Sequence, residues 1–327
     1  MARKNSVQTK PSKKVYFNFD QQIEKLKSDG LIIADEKRAK TRLKWEGYYN
    51  FAVGYNRLFK DEKKRYVKGT TFEHIEALFD FDKHLRGLVY EYAQGVECNL
   101  KALISDVFSR NYGVDERLYL REENFTDAPE DKQYVRWIIG TCRATLESAC
   151  KLGAGCYRDY IAYYRKTYGH VPFWALIRAL TFGNTSKFLY VMKKEDGREI
   201  ARAYGLDFDR LRNMAEVAVC FRNIAAHGER VYNAKLPSAS LDGGLAVFPK
   251  VGFKKDADGS YRHGRRDFAA FLVVCKYLLP QREFADCMER VRKEVEKLES
   301  ALLPSSFEKV MDFAGLSGDW KRLDELG

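Results

Sequence analysis

The segment FRNIAAHGERVYN, residues 221–233, carries three side chains that could do acid–base and phosphate chemistry: Arg222, Asn223 and His227. A neutral imidazole can take the proton of a ribose 2′-hydroxyl, and an imidazolium can protonate a leaving 5′-oxygen. A guanidinium can hold a phosphate through two parallel hydrogen bonds and offset the charge that develops in the transition state. An amide can orient either group. These residue types therefore suit the cleavage of a phosphodiester in RNA.

A helix must position these side chains, and the sequence predicts one over residues 207–227, with Asp207 as N-cap and Gly228 following its end. At about 100° per residue, the apolar positions gather on one side, and the helix is expected to present Arg222, Asn223 and His227 on the other. Asn223 and His227 face the same way as an i, i+4 pair. An Arg followed five residues later by a His also arises by chance on solvated helix faces, so the motif alone leaves that alternative open. The apolar positions are Leu211, Met214, Ala218, Phe221 and Ala225.

Other chemical motifs are not found. The remaining histidines do not form a metal-binding spacing such as H-E-x-x-H, and there is no Gly-rich phosphate loop and no G-x-S-x-G. The seven cysteines include no C-x-x-C pair, so neither a disulfide framework nor a structural zinc site is predicted. We expect no metal and no cofactor. These histidines are His74, His84, His170 and His263.

The charge balance indicates a polyanionic partner. The formal net charge is +11, which favours attraction to nucleic acid or to an anionic membrane surface without deciding between them. No apolar run approaches the roughly 18 residues of a membrane span, and no signal peptide opens the chain, so we expect a soluble cytoplasmic protein. Residues 1–14 hold five basic and no acidic residues and read as a disordered basic tail. Lys10, Lys13 and Lys14 there are candidate RNA contacts.

Hydrophobic periodicity predicts an all-α protein, with one helical domain over residues 15–327. The strongest signal is a long helix over 71–110, and the predicted break in 172–205 falls at Gly183-Asn184-Thr185. Residues 234–266 are rich in Gly, Ser and Lys and read as a polar surface insertion, in which LAVFPKVGF could form a hairpin. Further helices are expected over 35–60, 130–168, 267–280 and 282–303.

Several blocks of the chain, in order, resemble the Abi-like proteins of the AbiD and AbiF type, which belong to the HEPN superfamily. The block 221–233 resembles the HEPN signature, in which an Arg and a His are separated by four to six residues and a polar residue follows the Arg. Gly228 departs from the family pattern, which often has a second His or a bulky residue there. The other blocks are residues 19–59, 74–113, 172–192, 200–206 and, less cleanly, 310–320.

The resemblance implies a HEPN-like helical bundle, with its core over about residues 70–303, and a metal-independent ribonuclease activity. It assigns Arg222 and His227 as catalytic residues and Asn223 as the polar position between them. It further implies a homodimer, in which two such helices face each other, and a small non-coding RNA as a regulatory partner. Supporting roles would fall to Arg230, Tyr232 and Asn233 after the motif, and to Asp82, Arg86 and Glu97 on the long helix. For the last three, helix packing and ion pairing are an equal alternative.

Two other functions are compatible with the sequence. Some HEPN proteins keep the fold and lose activity, so the chain could be a non-catalytic RNA-binding module. It could also be the toxin of a protein toxin–antitoxin pair. Retention of both Arg222 and His227 favours an RNA-cleaving toxin of the abortive-infection kind.

Overall fold

The computed structural model describes residues 15–151 and 155–325. Throughout these ranges the chain forms helices joined by turns, with isolated bridges in place of a sheet, so the all-α prediction is confirmed. The chain divides into two compact units, and the division falls between Asp80 and Phe81. The predicted basic tail with Lys10, Lys13 and Lys14 lies outside the described residues, and the single-domain interpretation of 15–327 stays a prediction. No described helix is long and apolar enough to cross a membrane.

The N-terminal unit holds α1 (Phe19–Ser28), α2 (Glu36–Glu46), a π-helical turn (Tyr49–Val53) and a 3₁₀ turn (Asn56–Phe59). The helix predicted over 35–60 is therefore interrupted. Gly47 ends α2 with φ +79°, a backbone angle that side-chain-bearing residues rarely adopt. After this turn the Phe51 ring packs 5.2 Å from the rings of both Phe72 and Phe79, which forms the aromatic core of the unit.

The long helix α3 (Phe72–Tyr112) matches the prediction closely. Its apolar side chains recur every three or four residues and are buried along its whole length. In the C-terminal unit its Phe108 ring sits at the centre of a buried aromatic cluster. The partners of Phe108 are Tyr112, Tyr119, Phe125, Phe173 and Phe188, with ring centroids 4.7 to 6.4 Å away.

The predicted break at Gly183-Asn184-Thr185 is wrong. These residues form the first turn of a helix, because the hydroxyl of Thr181 caps that turn by accepting the N–H of Asn184 at 3.2 Å. The chain breaks instead just before Thr181 and again near Lys193, which gives three short helices in place of two. The helices in this part are α4 (Glu116–Tyr119), α5 (Lys132–Lys151), α6 (Asp159–Tyr168), α7 (Phe173–Ala179), α8 (Phe182–Val191) and α9 (Lys194–Arg202).

The hairpin predicted for LAVFPKVGF is also wrong. Val247–Val251 form a short helix, α11, which buries Phe248 and Val251 completely and ends at Gly252 with φ +70°. Burial of side chains three residues apart on one face favours a helical turn over an extended strand. Further apolar side chains between 234 and 266 are buried as well, so this segment contributes to the core. The remaining helices are α10 (Phe208–Ala226), α12 (Phe268–Leu278), α13 (Gln281–Ala301) and α14 (Pro304–Ala314).

Candidate active site on helix α10

The helix that carries the motif is built as the sequence predicts. The side chain of Asp207 accepts the N–H of Arg210 at 2.8 Å and caps the first turn, and Gly228 turns the chain away with φ +70°. The apolar stripe of α10, including Met214 and Phe221, is buried against α8 and α12. This packing leaves the polar end of α10 at the surface.

Asn223 and His227 occupy the outer face of this end. His227 is exposed and forms the C-cap of α10, where its backbone N–H donates to the carbonyl of Asn223 at 3.0 Å. Asn223 is half-buried one turn earlier on the same face. An exposed imidazole beside an amide can reach a substrate that approaches from solvent.

Arg222 points in a different direction. It lies about 140° around the helix from His227, and its guanidinium carbon sits 6.0 Å from the centroid of the Phe182 ring on α8. Its Nε is buried without a hydrogen-bond partner among the described residues. A buried, unpaired donor is costly and calls for a functional or structural explanation. The structure therefore does not place Arg222 and His227 on one face of a single chain.

Asp82 fixes the loop that follows the motif. Its carboxylate is fully buried, and one oxygen accepts the backbone N–H groups of Val231 at 2.9 Å and of Tyr232 at 2.7 Å. The other oxygen pairs with Arg86 at 2.5 Å. A carboxylate that accepts three donors in a buried site is a strong anchor, so α3 holds the chain only four residues after His227. These contacts of Asp82 and Arg86 are structural and lie on the buried side of the loop.

The other residues after the motif are distributed between interior and surface. Tyr232 is buried, Asn233 is half-buried and Arg230 is exposed. Of these three, Arg230 alone sits where it could meet a polyanion directly. Tyr232 and Asn233 belong to the loop that Asp82 holds.

Glu97 lies away from the loop that Asp82 holds. It is about 22 Å from Asp82 along α3 and pairs with Lys101 at 2.7 Å. The Lys101 ammonium also donates to the carbonyl of Leu180 at 2.6 Å, two residues before the Phe182 ring that underlies Arg222. Glu97 and Lys101 line a cleft of about 520 Å³ together with Trp174 and Arg178. Sequence reasoning missed Lys101 and Phe182; the four-residue spacing of Glu97 and Lys101 was the available signal.

Cys220 shares the face of Asn223 and His227. The thiol is half-buried, and burial, followed by the nearby charge of Glu216, raises its pKa. A thiol with a raised pKa stays protonated near neutral pH and is a poor nucleophile. In the part of the chain that the structure describes, no three His, Cys, Asp or Glu side chains are grouped so that they could hold a metal ion.

The architecture defines an all-α protein in which a buried aspartate of the longest helix anchors the loop behind an Arg-Asn…His helix end. A family model described as Abi-like protein matches residues 41–233, which is more than half of the chain. The chain belongs to the Abi-like protein family. The match ends at Asn233, the last residue of the motif block. Neither the curated proteins nor the solved structures contain a match to this chain.

Proposed function

We propose that this Abi-like protein is an endoribonuclease of the HEPN type that acts as a toxin in abortive infection. The observation that carries the proposal is the end of α10, where an exposed His227 follows the Arg222 guanidinium, whose buried Nε has no partner in the part of the chain that the structure describes. Family membership supports a role in abortive infection. The net charge of +11 supports a polyanionic substrate.

The proposed reaction is a transesterification that needs only side chains of this family motif. The neutral imidazole of His227 takes the proton of a ribose 2′-hydroxyl, and the 2′-oxygen attacks the adjacent phosphorus. The bond from phosphorus to the 5′-oxygen breaks, and an imidazolium gives its proton to that oxygen. The products are a 2′,3′-cyclic phosphate and a 5′-hydroxyl. Arg222 would offset the extra negative charge on the phosphoryl oxygens in the transition state.

Two copies of the chain would complete the site. The reaction moves one proton from the nucleophile and another to the leaving group, and the motif supplies a single histidine per chain. Within one chain, moreover, Arg222 and His227 diverge by about 140° around α10. A homodimer in which the ends of two α10 helices meet would offer two imidazoles and two guanidinium groups to one phosphate.

A small non-coding RNA is the proposed inhibitor of the toxin. Its support is the excess of positive charge, since a structured RNA is a polyanion that could cover a basic surface. Purification in moderate salt followed by sequencing of bound nucleic acid tests this part. A protein antitoxin that copurifies in its place would contradict it.

Growth of the expressing cells tests the enzymatic function. Wild-type protein should arrest growth, and His227→Ala and Arg222→Ala should each relieve the arrest at equal protein levels. His84→Ala, which removes another exposed histidine of the same unit, is the matched control and should remain toxic. Equal toxicity of wild type and His227→Ala would argue against catalysis and for the alternative, a non-catalytic RNA-binding module.

A further inference from the structure

Helix α9 presents a stripe of positively charged side chains on its exposed face. Lys194, Arg198 and Arg202 are exposed and follow one another at four-residue intervals, so they form one row with a rise of about 6 Å per step. Among the described residues, none of the three is paired with a carboxylate. Glu199 on the same helix is engaged elsewhere, with Arg110 at 2.5 Å.

The stripe sits on a firmly held helix. Asp196 is buried on the opposite side of α9, where its carboxylate accepts the amide of Asn111 at 2.8 Å and the hydroxyl of Tyr112 at 2.7 Å. Gly197 allows close packing against α10, because a Cβ there would lie 2.2 Å from the ring of Phe208. The row of charges is therefore presented by a rigid element, which reduces the entropy lost on binding.

The stripe forms one wall of a cleft of about 410 Å³ between α9 and the start of α10, to which Arg212 also contributes. Two carboxylates in the cleft already form ion pairs with arginines. Asp207 caps α10 and lies 3.3 Å from the Arg210 guanidinium, and Asp209 binds Arg212 at 2.5 Å. The free charge of the cleft is therefore positive.

This cleft adjoins a second cleft along α10. A second cleft of about 390 Å³, between α8 and α10, shares Asp209 and Arg212 with the first and ends at Gly183 and Cys220. The α10 positions 209, 213, 216 and 220 are spaced by four, three and four residues, and 223 and 227 continue the same row. We term the second cleft the α8/α10 groove; from position 209 the row of residues runs about 27 Å along α10 and ends at His227.

We propose that the α9 stripe binds successive phosphates of an RNA strand and that the strand then follows the α8/α10 groove to His227. The second half rests on the proposed nuclease function, whereas the first half is a binding site in its own right. Phosphate recognition fits because the three cations of the stripe have no carboxylate partner within residues 15–151 and 155–325. The apolar lining residues of the first cleft, Leu206 and Phe208, are buried, so a concave polar cleft of this kind suits a strand better than a planar lipid surface.

The test measures RNA binding in a variant that does not cut. In a His227→Ala background, the triple variant Lys194→Gln, Arg198→Gln, Arg202→Gln is compared by fluorescence anisotropy on a short mixed-sequence single-stranded RNA. We expect at least about ten-fold weaker binding, and a slope of log K against log [salt] that is smaller by about 2 between about 50 and 200 mM salt. Circular dichroism should show an unchanged fold, since all three side chains are exposed.

The matched control removes the same charges elsewhere in the C-terminal unit. Arg143→Gln, Arg282→Gln, Lys309→Gln replaces two arginines and one lysine that are exposed and likewise lack a carboxylate partner among the described residues. Binding by this variant should stay within about two-fold of the parent. Equal losses in both triple variants would overturn the stripe as a site. A loss confined to vesicles of phosphatidylserine and phosphatidylcholine, with RNA binding retained, would overturn it in favour of a membrane.

The experiments distinguish failure of the proposed RNA-binding stripe from failure of the proposed nuclease function. With His227 restored, the α9 triple variant should show a raised KM for RNA and a retained kcat. If the wild type cuts RNA and the α9 variant binds and cuts like the control, the stripe is wrong and the nuclease stands. If the wild type cuts no RNA but the α9 variant alone loses binding, the stripe stands and the nuclease is wrong.

Discussion

Replacement of Asp82 by alanine should destabilise the C-terminal unit and loosen the loop behind His227. The substitution removes the acceptor of two backbone N–H groups, those of Val231 and Tyr232, and leaves the mostly buried Arg86 without the carboxylate that lies 2.5 Å away. Removal of one partner from a buried ion pair costs about 3–5 kcal/mol. Each buried N–H that loses its acceptor adds to this cost, but the contributions to the free energy of unfolding are not additive because the groups share one partner.

A cost of about 4 kcal/mol corresponds to a fall in Tm of about 10 °C for a unit of this size. Asp82→Asn should lose about half as much, because the amide oxygen can still accept the two N–H groups while the charge opposite Arg86 is gone. The assay is thermal unfolding followed by circular dichroism in a His227→Ala background, which separates stability from toxicity.

Asp106→Ala is the matched control on the same helix. Asp106 forms an ion pair with Arg110 at the same four-residue spacing, but both side chains are more than half exposed. Surface pairs of this kind contribute about 0–1 kcal/mol, so Tm should barely move. A Tm for Asp82→Ala that matches that of Asp106→Ala would refute the reasoning that a buried carboxylate holds the loop.

Three further predictions concern packing, pH and assembly. Gly197→Ala should lower the free energy of unfolding, measured in urea, by about 1–2 kcal/mol, because the new Cβ would overlap the Phe208 ring. This loss is expected even though alanine has the better helix propensity. An additional Phe208→Leu should recover part of the loss, and a Gly197→Ala variant that is more stable than wild type would contradict the close contact between Gly197 and Phe208. Burial lowers the pKa of His74, whose Nδ1 accepts the N–H of Thr71 at 3.1 Å, so the folded state binds a proton less readily than the unfolded state. Stability of the N-terminal unit should then be full above about pH 6.5 and fall as the pH drops below it, and His74→Gln should remove that dependence when Tm is followed between about pH 8 and pH 5.5. The prediction on assembly uses wild-type protein that has exchanged subunits with an about nine-fold excess of His227→Ala protein. The rate of RNA cleavage per wild-type chain should fall about ten-fold, because few of the dimers then hold two imidazoles. An unchanged rate per wild-type chain would indicate that each chain carries an independent site.

The elements of the fold that periodicity governs were predictable from the sequence. The 41-residue helix α3 and the bounds of α10 follow from apolar spacing and from the cap at Asp207. The wrong predictions of secondary structure concern segments in which a side-chain hydrogen bond or burial, and not residue composition, determines the local structure. The hydroxyl of Thr181 caps a helix that begins before Gly183, so Gly183 lies inside a helix and not at a break. Phe248 is buried in the core as part of a helical turn, although the composition of its segment is polar.

The residues of the candidate site stay a prediction from the sequence, and their geometry could not be predicted from it. The motif predicts Arg222 and His227 as site residues, but the sequence does not reveal that Arg222 turns towards Phe182 or that its Nε lacks a partner among the described residues. The anchoring by Asp82 joins residues about 150 positions apart, and no local pattern encodes such a contact. The two N–H donors to Asp82 are backbone groups, so the residue types at positions 231 and 232 do not predict this contact.

The ends of the RNA products test the central claim most directly. Purified wild-type protein is incubated with RNA in the presence of a metal chelator, and the fragments are analysed by mass spectrometry. The account predicts fragments with 2′,3′-cyclic phosphate and 5′-hydroxyl ends, and none of them with His227→Ala. Fragments with 3′-hydroxyl and 5′-phosphate ends, or identical cleavage by His227→Ala, would contradict it.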